Sequence, residues 1–273
     1  MQGEWPSHPE LLDWLAVELR ESNWDMQHII ELIVTSQTYR QSSRVRPDVR
    51  ERDPDNRLLS YFPRRRLSAE QVRDQALYVS GLLVEKLGGP SVKTYQPDGI
   101  WAEVAMPASN TRNYTRGMGD DLWRRSLYTY WKRACPPPSL QMFDAPTRES
   151  CTIRRSSTNT PLQALVLWND PQFVEAARVL AQRTLGESKD ESQCLSMLFS
   201  RCLGRKPDAE EAARLTAALA KFREKFFASE EDAKKLLAVG DAPFSTEIPA
   251  AELAAWTMLA SAVMNLNESI VVD

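Results

Sequence analysis

Residues 143–165 read FDAPTRESCTIRRSSTNTPLQAL, and Asp144, Arg148, Glu149, Arg154, Arg155 and Asn159 stand among them. Two carboxylates among arginines are the groups that hydrolyse a glycosidic or ester bond, one as acid and one as base, where they converge across a cleft. In that reading Asp144 and Glu149 are the catalytic pair, while Arg148, Arg154, Arg155 and Asn159 bind the ligand. Trp101 and Trp131 would add ring faces for sugars, from a belt that also holds Tyr114, Trp123, Tyr128 and Tyr130. The same residue types serve a second purpose, because arginine forks match carboxylates in pairs. The cluster then becomes a buried ion-paired network that pins a long loop, and the rings become the core of a segment short of aliphatics.

Other chemistries find less support. The chain has two histidines, His8 and His28, and four cysteines without CxxC or CxxCH spacing, so neither a metal site nor attached haem is expected in it. Cys194 and Cys202 lie on one helix, roughly 12 Å apart along its axis, and are expected in the core. Cys135 and Cys151 flank a proline-rich loop and are expected as free buried thiols, with a disulfide as the alternative. Arg64-Arg65-Arg66 directly precedes a helix start and lacks a glycine-rich loop, which reads as an ion-paired turn rather than a phosphate or nucleic-acid site. No nucleophile elbow is present.

Helices must position these residues. An oxygen-bearing cap followed three residues later by an acid or amide recurs at Ser7–Glu10, Ser68–Gln71, Asp190–Gln193 and Asp208–Glu211. The first opens a helix with Leu11, Leu12, Leu15 and Leu19, and Asp25 precedes a second with Ile29, Ile30, Leu32 and Ile33, together an antiparallel pair. The helix from Ser68 is expected to end at Gly88-Gly89-Pro90, and Gly204 with Pro207 marks a tight turn. Thr160, Pro161 and Gln163 read as a cap, a first helical residue and the reciprocal partner of a capping box. Asp170-Pro171 starts the next helix, and the last begins near Pro249 with Leu253, Trp256, Leu259, Ala260, Val263 and Leu266 at helical spacing. Between about 90 and 158, prolines, glycines and aromatics predict loops, with a strand and small sheet at Ser126–Trp131. Residues 42–57 are charged and without period, an exposed loop. The expectation is a mainly α protein: one domain over 1–273, with a helix pair in 1–41, a helix and a loop-rich aromatic and arginine segment in 42–158, and a helical array in 159–273.

Formal net charge is -3, from 34 basic and 37 acidic side chains, so no overall field favours nucleic acid. Residues 1–160 hold 22 of the basic and 20 of the acidic groups, which makes them the more basic part. No stretch approaches the roughly 18 apolar residues of a membrane span, and the N-terminus has neither a basic start nor an apolar run of signal type.

Taken in order, HPELLDWLAVEL, LIVTSQTYRQSS, DPDNRLL, RRRLSAEQVRDQAL, GGPSV, YQPDGIWAE, RRSLYTYWKR, the 143–165 stretch, NDPQFVEAA and AELAAWTMLASAVMNLNE resemble the domain of unknown function 1553 family. The resemblance covers nearly the whole chain. It implies a C-terminal module of exported planctomycete-type proteins, which usually carry a secretion signal, a cytochrome c domain and a second uncharacterised domain before it. Haem c is implied only for that companion domain, and export only as part of the longer protein. This chain starts at the module and reads as a piece of such an architecture. Two functions follow as expectations: a structural or interaction domain whose partners are the companion domains, and a hydrolase or binding protein for complex polysaccharide, neutral or sulfated.

Overall fold

A computed structural model describes residues 5–272. The chain is mainly α-helical and forms two compact units, one of residues up to Arg65 together with the C-terminal end from Val271, the other Arg66–Ile270. A two-stranded sheet pairs β1 (Arg65–Arg66) with β2 (Val271–Val272).

The first unit opens with α1 (Pro9–Glu21) and α2 (Met26–Thr35), which pack together. Pro9 sits at the first turn of α1, but its cap is His8, whose backbone is in place without a side-chain bond; the Ser7 hydroxyl bonds the His8 ring instead. Asp25 caps α2 by accepting from the Gln27 and His28 N–H groups. His28 Nε2 meets Glu18 Oε1 at 2.7 Å, tying the two helices. The 42–57 segment, expected to be a loop, contains a six-residue helix, α3 (Pro47–Arg52). Proline fixes its first φ, and buried Asp53 gathers the chain after it through the Arg57 and Leu58 N–H groups at 2.7 and 2.8 Å.

In the second unit α4 (Ala69–Ser80) starts at the predicted capping box, with Ser68 and Gln71 each bonding the other's backbone. It ends at Gly81, not at Gly88-Gly89-Pro90. Gly81 takes φ 84, the left-handed form that terminates helices, and the Leu82 N–H closes back on the Leu77 carbonyl at 2.9 Å. Short helices α5 (Ile100–Val104) and α6 (Pro138–Met142) punctuate the loop-rich middle. The predicted strand is a single 3₁₀ turn at Ser126–Tyr128 followed by an isolated bridge of Thr129 to Val92. What overrides the alternating pattern is Arg73, buried on α4, which donates to the Arg124 and Leu122 carbonyls, Ser126 Oγ and Gln172 Oε1 at 2.6–3.1 Å. Those bonds curl the segment around one guanidinium and leave no edge for a ladder.

The array continues as α7 (Pro161–Asn169), α8 (Pro171–Glu187), α9 (Glu191–Leu203), α10 (Ala209–Ala228), α11 (Glu230–Leu237) and α12 (Ala250–Met264). α12 is apolar on every side and lies at the centre, against α8, α10 and α11. Ala176, Ala177 and Ala181 of α8 and Ala254, Ala255 and Ala260 of α12 are fully buried, and side chains of that size let two helix axes approach closely. Trp256, Leu253 and Leu259 fill the remaining space, whereas Leu266 lies beyond the helix and is exposed. Cys194 and Cys202 are in this core as expected, with burial pushing the Cys202 thiol up to about 12. Cys135 and Cys151 are free but not buried: Cys135 is half-buried and Cys151 exposed, because the loop that carries Cys151 stands out from the array.

Candidate functional site

The arginine-rich stretch is a surface loop. Every residue of 147–159 is exposed, and Ile153 is as open as in an extended chain, at 105%. A buried ion-paired network is therefore not what the cluster forms. The loop is pinned at its two ends. Asp144, in left-handed conformation at φ 61, accepts the Thr158 N–H at 2.7 Å and the Thr158 hydroxyl at 2.9 and 3.0 Å on its two oxygens. Gln163 is buried below it, accepting from Arg66 Nη2 at 2.6 Å and donating to the Met142 carbonyl at 2.9 Å and Thr158 Oγ1 at 3.2 Å. Thr160 caps α7 by backbone position alone, with no side-chain bond. The capping box is absent because Gln163 turns inward to tie three separate segments.

Along the loop, Arg148 stacks 4.3 Å over the Trp131 ring, and Trp131 Nε1 donates to the Thr147 carbonyl. Glu149 lies 4.0 Å from Arg133, both well exposed. Arg155 pairs with Glu70 of α4 at 2.7 Å; burial acts to raise the Glu70 carboxyl, but the Arg155 hydrogen bond holds it below its ordinary range. Arg154 and Asn159 stand in solvent without a partner among the described residues. Among those residues no hydrogen bond or ion pair joins Asp144 to Glu149, and no group of three or more His, Cys, Asp or Glu side chains is placed to hold a metal ion. Trp101 shares no hydrogen bond or ring contact with this loop among the described residues: it is buried, donates to Gln96 Oε1 at 3.0 Å, and packs edge-on to Tyr114 at 4.8 Å beneath Lys132. It is core, as the second reading of the aromatic belt had it.

A second surface was missed. In α1 no residue is buried and in α2 only Ile29 is, so Leu11, Leu12, Trp14, Val17, Ile30 and Ile33 remain exposed. The link between the helices displays Trp24 at 70% exposure, with φ 64 after Asn23 at φ 58. A bulky aromatic in left-handed conformation is rare and costs free energy. The periodic leucines and isoleucines look identical to a core stripe in sequence. The available signal was density: two short helices carry more large apolar groups than their mutual contact can cover. The two helices and their link are acidic, with Glu10, Asp13, Glu18, Glu21, Asp25 and Glu31 against Arg20 over residues 9–35.

Fold and surfaces together define a mainly helical protein with large apolar and polar surfaces open to solvent. The chain belongs to the family described as protein of unknown function (DUF1553), whose model matches residues 1–219. That match ends inside α10, yet α12 beyond it is the most buried helix of the array. No curated protein and no solved structure matches the chain. No helix among the described residues is long and apolar enough to cross a membrane.

Proposed function

We propose that this chain is a docking module, held to a partner through the apolar face of α1 and α2. The observation that carries the reading is the helix pair itself, which buries one side chain and leaves eight large apolar groups plus Trp24 open to water. Apolar surface gathered in this way marks an interaction face. The acidic charge of the helix pair selects a partner whose apolar patch has basic groups beside it. The partner is a companion domain of the longer architecture implied by the family resemblance, the cytochrome c-type domain first and the second uncharacterised domain next, in an exported protein. Against a hydrolase for polysaccharide stands Asp144, whose two carboxylate oxygens are taken up by Thr158.

The test is a titration of the purified chain with each companion domain, repeated with Trp14→Ser/Ile30→Ser. Trp14 and Ile30 are about half exposed, at 50% and 54%. Covering the exposed half of each contributes roughly 1–1.5 kcal/mol, so the double substitution weakens binding roughly 50-fold. Equal affinity of the two chains would remove α1–α2 from the interface.

A further inference from the structure

The base of the exposed loop encloses a cavity of about 200 Å³ at the start of α4, lined by Arg66, Ser68, Asp144, Arg155, Ser156 and Ser157 among others. Three chain segments meet there, and the donors they bring are mostly unspent. Arg155 uses only Nη1, on Glu70, which fixes the guanidinium and leaves Nε and Nη2 without a partner. Arg66 lines the cavity with its guanidinium fixed by Gln163 on Nη2, and its Nε is sealed from solvent, so it contributes positive charge more than a free fork. Ser156 and Ser157 make no hydrogen bond among the described residues. The first turn of α4, its N–H groups engaged by the capping box, adds the positive end of the helix dipole.

The acceptors in the cavity are occupied. Asp144 on the lining is bound to Thr158 through both oxygens, and Glu70, which lies outside the lining, accepts from Arg155 through one oxygen. The two acids cancel the two guanidiniums in formal charge, so long-range attraction is weak and recognition falls to directed donors at short range. The volume suits one compact head group rather than a whole sugar chain. Donors in excess, the free edge of the Arg155 fork among them, match an oxyanion with several acceptor oxygens.

We infer that this cavity binds a tetrahedral oxyanion, the head group of a sulfate or phosphate monoester, between Arg66 and Arg155 with the Ser156 and Ser157 hydroxyls completing the shell. This site is independent of the α1–α2 face, and either can fail alone.

Calorimetric titration of the full chain at low ionic strength tests it, with glucose 6-sulfate, glucose 6-phosphate and the two inorganic anions as probes. The expected result is saturable one-to-one binding, weakened about tenfold in Arg155→Gln by loss of one charge-assisted hydrogen bond. Ser157→Ala, which removes no ion pair, weakens it further, and Arg214→Gln on exposed α10 leaves it unchanged. Tighter binding of glucose 6-sulfate assigns sulfate esters, and tighter binding of glucose 6-phosphate assigns phosphate esters. Absence of saturable binding, or equal affinity in wild type, Arg155→Gln and Ser157→Ala, would overturn the inference. Arg155 is half exposed, so its replacement does not unfold the chain.

Discussion

Gln163→Glu separates two roles that one residue could have. At the third position of a capping box glutamate serves as well as glutamine, so a capping role predicts no loss of stability. The structure predicts a loss. Gln163 is 1% exposed, and its Nε2 donates to the Met142 carbonyl at 2.9 Å and to Thr158 Oγ1 at 3.2 Å. Glutamate puts an oxygen in place of that donor, leaving a part-buried carbonyl unpaired and facing a second oxygen, at a cost of about 1–3 kcal/mol. The new charge faces Arg66, which already bonds Oε1 at 2.6 Å and is itself only half-buried, and that pairing offsets about 1 kcal/mol of the loss. The net expectation is about 1–2 kcal/mol of destabilisation in urea unfolding. Because the same amide holds Thr158, loop 147–159 loosens, and trypsin cleaves after Arg154 and Arg155 faster than in wild type. A neutral or stabilising effect with unchanged cleavage would refute the inward-facing role of Gln163.

Asp170 caps α8 from a half-buried position, and desolvation raises its carboxyl to about 6, opposed by the Gln172 N–H and Arg73. The folded state then binds the proton more tightly than the unfolded chain, so stability falls as pH rises from about 4 to about 6 and stays lower above that. Asp170→Asn keeps an N-cap acceptor and removes the charge, and urea unfolding should show up to about 3 kcal/mol of stabilisation at pH 7.5 with little at pH 4. A thiol reagent on the native chain should label Cys151 quickly and Cys135 more slowly. Cys202, buried and held up at about 12, should react only on unfolding, which mass spectrometry of the labelled peptides would report.

The helical array could be read from the sequence because its signals are local. Ser68 with Gln71, Asp208 with Glu211, Asp170-Pro171 and Gly204 each act within one turn, and all stand in the structure as expected. The family could be read from the ordered motifs. What could not be read depends on distant partners. Arg73 follows Val72 on the buried face of α4 and looks like any polar helix residue, yet burial holds it down to about 10 and its bonds shape the segment around Ser126. Gln163 obeyed a local rule until Arg66, Met142 and Thr158 offered it better partners. The leucines and isoleucines of α1 and α2 carry a core pattern, and periodicity cannot say whether a stripe is covered by the same chain or by another. Asp144 and Glu149 are five residues apart in sequence, but a left-handed turn at each of Asp144 and Arg148 sends one into the loop base and the other into solvent.

The most direct measurement is amide hydrogen exchange of the chain alone and with the companion cytochrome c-type domain, followed over residues 9–35. Docking through α1 and α2 predicts slowed exchange across both helices and at Trp24, with the array from α8 to α12 unchanged. Binding that leaves residues 9–35 exchanging as in the free chain would contradict the docking role of the helix pair.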